Sequence, residues 1–264
     1  MAEELTYKNE AAAGYDRAFA HISKHFVPSL LRAAHVGSGM RVLDIAAGTG
    51  IAAEAVLSAV GPTGHVTAAD LSPAMIEKAR ERLGQAANAS VAVEDGQALS
   101  FSDSSFDAVI CSLGLMFFPD PLRGLVEFCR VLVPGGRAAV SVTTVPEKSY
   151  NNRINIAIAR YLPSLAEAAD RVFSLGNEAK LRSLFEAANF RNVEITIERH
   201  RFVLPSFDFY FEPFEQGAGS SGQAFVSLSE DARRAVREEV RRDLGDTGGP
   251  IKVEVEYRFG SGRR

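Results

Sequence analysis

Val42-Leu43-Asp44-Ile45-Ala46-Ala47-Gly48-Thr49-Gly50 reads as a strand running into a turn of small residues. Val42 to Ile45 are apolar apart from one acid, the pattern of a strand buried on both faces. Ala46 to Gly50 are small, and a strand that enters such a turn before a helix lets backbone approach a ligand closely. Gly48 and Gly50 remove side chains that would block the approach. The helix expected from Ile51 to about Val60 opens with unpaired N–H groups aimed at the ligand. An acid inside the strand is costly unless something pairs it. Asp44 is therefore either an acceptor that stabilises the turn or a ligand contact.

The next acid narrows the ligand class. His65 to Asp70 read as a second strand ending in a carboxylate, and Asp70 follows Gly50 by 20 residues. That is the spacing of a ribose-hydroxyl acceptor at the tip of the neighbouring strand. A carboxylate suits a diol because it accepts from both hydroxyls. The alternative is a cap for the following helix, but Ser72-Pro73 already supply an N-cap and a first-turn proline.

Four motifs then follow in order: VLDIAAGTG (42–50), VTAADLSPAM (66–75), VEDGQALSFSDSSFDAVICSLGLMFF (93–118) and RVLVPGGR (130–137). On these residues the chain resembles the class I S-adenosylmethionine (SAM) dependent methyltransferases. It is similar to the ubiquinone/menaquinone-biosynthesis group and its small-molecule relatives. The resemblance spans roughly 36 to 145 and continues more weakly to about 200. Ala46 stands where many members have glycine. The resemblance implies SAM as cofactor, S-adenosylhomocysteine as product, and cofactor contacts at Asp44, Ala46, Gly48, Gly50, Asp70 and Leu71. It implies that Met75 touches ribose or adenine, with a core methionine as the alternative. It also implies that Asp95 accepts from the adenine amino group while Gly96 and Gln97 flank the ring. The alternative there is a plain Asp-Gly turn.

Composition bounds the partners. The 264 residues fit one α/β domain over 1–264 with insertions, and hydrophobic content of 46% suffices for a full core. A net charge of −4 leaves no basic field for nucleic acid. The two cysteines, Cys111 and Cys129, read as reduced thiols of a cytoplasmic protein. The five histidines show no metal-ligand spacing. The N-terminus, MAEELTYKNE, is polar, so no secretory signal is expected. No apolar run approaches the ~18 residues of a membrane span. A small-molecule acceptor is the expected partner; a homodimer is left open.

Residues 1–36 are expected to form a helical lid, with helical spacing over 9–36 and a kink or break at Pro28. The family resemblance implies that this helix folds over the cofactor with Tyr15 on it; the alternative is half-buried packing. His21 and His25 share a helix face, and two surface histidines are the simpler reading. The fourth strand is expected over Ser105–Ser112. By the switch-point rule, Ser112 to Phe118 line the place where cofactor and acceptor meet. Ser112 and Leu113 then contact the cofactor, and Phe117 and Phe118 wall the acceptor pocket, with core packing as the alternative for at least one of them. Residues 147–172, with apolar positions through Leu165, and 204–246 read as cap insertions. The second contains an aromatic run, a Gly/Ser linker at 217–222 and a charged helix at 229–244. Its Phe211 and Phe214 line the acceptor pocket, pack in the core, or form a dimer contact. Alternation from Ile251 to Phe259 marks a final strand lying antiparallel beside the sixth.

The expected fold is α/β: a doubly wound, seven-stranded, Rossmann-like methyltransferase sheet with the last strand antiparallel. The expected chemistry is in-line displacement at a sulfonium-activated carbon. The leaving group is already good, so the protein mainly positions and desolvates, and orientation effects reach ~7–11 kcal/mol. A general base adds ~10²–10⁴-fold where the acceptor must lose a proton; Tyr15, His21, His25 and His200 are the candidates. Two other readings share the turn-plus-acid logic. One is a SAM-fold protein without methyl transfer, with a cyclase or binding role. The other is a nicotinamide-dependent dehydrogenase, whose fingerprint has a third glycine where this chain has Ala53.

Overall fold

The computed structural model describes residues 9–163 and 171–264. Residues 1–8 of the expected lid, and 164–170 with Leu165 of the expected cap, lie outside the described residues. Seven strands form one sheet in the order β3-β2-β1-β4-β5-β7-β6. They are β1 (Arg41–Ile45), β2 (His65–Asp70), β3 (Ala89–Val93), β4 (Phe106–Ser112), β5 (Leu132–Thr143), β6 (Arg191–Leu204) and β7 (Ile251–Arg263). Strands β1 to β5 pair in parallel, and β7 runs antiparallel between β5 and β6. The order reverses at β1, which pairs with both β2 and β4. Ligand crevices of doubly wound sheets open at this point.

The central strands β1, β2 and β4 are nearly continuous in buried residues, the pattern of parallel strands covered on both faces. Along β1 the period of two sends Val42 to one core, with Ala68 and Ile110, and Leu43 and Ile45 to the other, with Val109. Helices α1 (Asn9–Ala33), α2 (Ile51–Val60) and α3 (Pro73–Leu83) supply Ile22, Val56 and Ala79 to the first core. Helix α4 (Pro121–Val131) brings Phe128 to the second. The expected caps form: Ser72 Oγ accepts from Met75 N at 3.4 Å and Asp120 Oδ1 from Arg123 N at 3.1 Å, each followed by proline.

Two features differ from the sequence expectation, and a third decides between two open readings. Helix α1 runs through Pro28 without ending. Proline in a helix costs ~3 kcal/mol, but α1 buries Ile22, Phe26, Val27 and Leu30 around it, each worth ~1.5–3 kcal/mol. The Gly/Ser stretch is no linker: Gly219–Val226 is a helix with Gly219, Ser221 and Gly222 buried. A Cβ on Gly222 would lie 2.4 Å from the Gly217 carbonyl carbon, so smallness here serves close packing. The aromatic run is a helix, Phe207–Glu215, capped by Ser206 Oγ accepting from Phe209 N at 3.1 Å.

Further α-helices among the described residues are α5 (Asn152–Ala159), α6 (Glu178–Ala187), α7 (Phe207–Glu215), α8 (Gly219–Val226) and α9 (Glu230–Asp243). Helix α6 covers the second core with Phe185. Helices α7 to α9 fill the connection between β6 and β7 and pack with α1 and α5. Tyr210 Oη joins them by donating to Tyr150 O at 2.8 Å. No described helix is long and apolar enough to cross a membrane.

Candidate cofactor and acceptor site

The turn after β1 is built from left-handed backbone. Ala46, Gly48 and Gly50 have φ of 55°, 55° and 82°. Such angles cost a non-glycine residue ~1–2 kcal/mol, so Ala46 is held there by its surroundings. A Cβ on Gly114 would come within 2.3 Å of Ala46 Cβ, which shows how closely the β1 and β4 turns approach. Leu113, just past β4, is also left-handed at φ 56° and is pinned by its N–H to Ser141 O at 3.0 Å. Two strained residues thus flank the switch point, as functional sites often show.

The glycines differ in role. A Cβ built on Gly48 meets nothing within 4 Å, whereas one on Gly50 would meet Ala79 of α3 at 3.1 Å. Gly48 therefore faces open space, as expected. Gly50 does not: it lets the turn pack on α3.

Asp70 sits at the tip of β2, where its Oδ2 accepts from Gly48 N and its Oδ1 from Ser72 N, both at 2.9 Å. It braces the turn while each oxygen keeps a further lone pair. Burial raises its pKa, and the Ser72 and Gly48 N–H groups pull the other way. Asp44 is fully buried, and neither carboxylate oxygen has a hydrogen-bond partner among the described residues. Burial pushes its pKa up to about 8; the Asp70 charge adds to this and the Ala53 N–H offsets part of it.

The neighbouring strand ends are apolar and open. Leu71, just past β2, is 58% exposed and Val93, the last residue of the edge strand β3, is 52% exposed. Asp95 Oδ1 accepts from Gln97 N at 2.9 Å, a turn contact that involves one of its two carboxylate oxygens. Gln97 Oε1 in turn accepts from Asp120 N at 2.8 Å. Gly96 faces protein, since a Cβ there would lie 2.4 Å from Phe118 Cζ. Phe118 packs against Gly96, Gly124 and Phe128, so it takes the core role. Phe117 stays 41% exposed beside Ser112 and Leu113. Met75 is buried in the first turn of α3.

Helix α1 meets the turn through Asp16, whose Oδ1 accepts from Thr49 Oγ1 at 2.6 Å and whose Oδ2 pairs with Arg82. The adjacent Tyr15 faces α8. Its ring lies 4.8 Å from Phe19, and a Cβ on Gly219 would sit 3.9 Å from Tyr15 Cδ2. His21 is six residues on, about 240° around the helix. It lies among Tyr150, Phe202 and Phe209 at 5.5–6.0 Å, and burial lowers its pKa. The ring thus packs between α1, β6 and α7. His25 and His200 stack at 3.8 Å, with His25 Nε2 3.4 Å from Glu198 Oε1. They join α1 to β6.

Phe211 and Phe214 are fully buried. Phe211 stacks on Phe207 at 5.2 Å and meets Phe225 edge-on, with Arg237 over its ring at 5.5 Å. It packs in the core, one of the three places expected for it. Phe214 meets Phe19 edge-on at 5.7 Å and backs the Tyr15–Phe19 pair from behind. Sequence reading gave no role to Asp16, Thr49 or Arg82, because their pairings span 33 and 66 residues and leave no local signal. Likewise unseen was the contact from Asn151 Nδ2 to Ser221 Oγ at 2.7 Å, which ties α5 to α8.

The residues present fit the cofactor that the motifs imply. Asp44 offers a buried acid without a partner to a donor or cation, Gly48 offers open backbone, and Leu71 and Val93 offer apolar walls beside Asp70.

Comparisons with known proteins agree. A methyltransferase domain family matches residues 42–136. The demethylmenaquinone methyltransferase of Staphylococcus aureus is 32% identical over 172 residues, 61% of this chain and 71% of that protein. The structure of Haemonchus contortus phosphoethanolamine N-methyltransferase 2 with S-adenosyl-L-methionine superimposes at TM-score 0.63 and 18% identity, over 99% of this chain and 58% of that one. The cyclase SpnF superimposes at TM-score 0.57 and 16% identity, over 94% of this chain and 82% of its own. At such identities these two likenesses speak for the fold alone.

Proposed function

Because the chain belongs to the class I SAM-dependent methyltransferases, we propose that it methylates a small organic acceptor with an aromatic or hydrophobic body, held between α1, the β4 turn and helices α5 and α8. The observation that carries this reading is the meeting of Tyr15 and Phe19 with Gly219 directly beside the glycine turn that Asp16 grips. Aromatic residues and small residues there leave a flat, mostly apolar wall, which suits a phenol, quinol or similar ring. Phe117, exposed beyond β4, supplies the facing wall.

SAM supplies a methyl group on a sulfonium, already activated for transfer. The chain's own residues then have three tasks. Asp44, Gly48, Asp70, Leu71 and Val93 bind and orient. Phe19, Phe117 and the rings behind them exclude water. Tyr15 holds the acceptor heteroatom by its hydroxyl and fixes the approach line, the effect that reaches ~7–11 kcal/mol when geometry is right. The free thiols of Cys111 and Cys129 accord with a reducing compartment, and we place the reaction in the cytoplasm.

Incubating the protein with SAM and a panel of phenols, quinols and amines tests the reading. S-adenosylhomocysteine and a methylated product should appear in equal amounts for ring-bearing acceptors. Tight SAM binding with no turnover on any acceptor would favour a binding or cyclase role instead.

A further inference from the structure

Thr49 lies in the glycine turn, between the open Gly48 and the tightly packed Gly50, and is buried. Both of its oxygens are engaged. Its Oγ1 donates to Asp16 Oδ1 at 2.6 Å, and its backbone O accepts from Arg82 Nε at 2.7 Å. Arg82 closes the triangle by pairing with Asp16 Oδ2, and its Nη1 reaches Glu54 Oε2 at 3.3 Å. One guanidinium of α3 thus binds α1, the turn and α2 together, and its side chain is only 17% exposed. Three directions in one plane require the arginine fork, which a lysine ammonium does not reproduce.

We propose that Asp16 and Arg82 are positioning residues: they couple the state of the cofactor turn to the placement of α1, so that filling the turn sets Tyr15 for the acceptor. The proposal rests on the reading of Tyr15 given above. The coupling route is short. Gly48, where a ligand approaches, precedes Thr49 in the chain. A shift of the turn moves both Thr49 oxygens, and these hold Asp16 directly and through Arg82. Asp16 is the neighbour of Tyr15, so the rotation of α1 about its axis is fixed at the residue that matters. Further along, α1 is fastened independently by Ile22, Phe26 and Leu30 and by the His25–His200 stack. Loss of the clasp therefore frees the start of the helix without unfolding the rest. An ordered reaction follows, with SAM bound before the acceptor.

Amide hydrogen exchange across residues 14–20 of the full chain, with and without S-adenosylhomocysteine, reads this directly. In the wild type the ligand should slow exchange there by about thirtyfold, the middle of the usual coupling range. Arg82→Lys keeps the charge and loses the fork; it should abolish that protection while calorimetry still records ligand binding. Asp16→Asn should behave alike. In kinetics, Arg82→Lys should lower kcat for the acceptor, and adding Tyr15→Phe should bring no further loss. Equal protection of α1 in wild type and Arg82→Lys would overturn the proposal, as would multiplicative losses in the double variant. If Tyr15→Phe alone leaves turnover intact, the acceptor reading of Tyr15 fails, while the exchange experiment still decides the clasp.

Discussion

Asp44 is a carboxylic acid in a fully buried position, and burial holds its pKa near 8 against an ordinary value of about 3.9. The folded state then binds a proton that the unfolded chain gives up. The associated stability is complete below the unfolded pKa and is lost as pH rises through the folded one, at about 1.4 kcal/mol per pH unit inside that window. Asp44→Asn, which cannot ionise, should escape this loss. Without ligand its melting temperature should equal or exceed that of the wild type, by a margin that grows from pH 5 to pH 8. A margin independent of pH would contradict the assignment. Asp70 makes a different case, since its two oxygens hold Gly48 N and Ser72 N. Asp70→Ala should weaken SAM binding by about 1.5–3 kcal/mol, the worth of a hydrogen bond to a charged group. Asn offers one oxygen in place of two, so Asp70→Asn should recover only part. Calorimetry giving Asp70→Ala the wild-type affinity would remove Asp70 from the site. These two acids and Gly48 were legible in the sequence because strand, turn and spacing are all local. The packing of Gly50 was not legible, because its neighbour, Ala79, comes from another helix. Asp16 and Arg82 were invisible for the same reason.

Among the elements, α7 and α8 separate what pattern can reveal from what packing decides. The aromatic run at 207–214 fits either a strand or a helix by periodicity. Ser206, three residues before Phe209, was the available helix-start signal. Once helical, Phe207 and Phe211 fall on one face and meet Phe225 and Arg237. Phe211→Ala should therefore cost about 3–5 kcal/mol of stability and leave the acceptor KM unchanged. A raised KM with an unaltered melting temperature would return Phe211 to the pocket. Composition misled at α8, because glycine and serine mark flexible linkers as readily as tight contacts. The distinction lies in what sits opposite, here the Gly217 backbone and Phe19. Gly222→Ala should lower the melting temperature, because its Cβ would meet backbone that cannot move aside. An unchanged melting temperature would show the α7–α8 contact to be slack.

At the scale of the molecule, residues 41–143 were legible almost throughout, since β1 to β4 are short runs of five to seven mostly apolar residues. The antiparallel last strand was also foreseen, though β7 runs to Arg263, beyond the alternation that ends at Phe259. The connection between β6 and β7 was the opaque part, because its helices bury their faces on α1 and α5 and on one another, distant in sequence. This division matches the chemistry proposed for it: a shared sheet that holds SAM, and added helices that choose the acceptor. The reading of the sheet turns on Gly48, the one glycine of its turn that faces open space. Titrating SAM calorimetrically into wild type and Gly48→Val, with thermal melts on the same samples, tests it. The account predicts a single SAM site in the wild type and no detectable binding to Gly48→Val, which still melts cooperatively. Equal SAM affinity in the two folded proteins would contradict it.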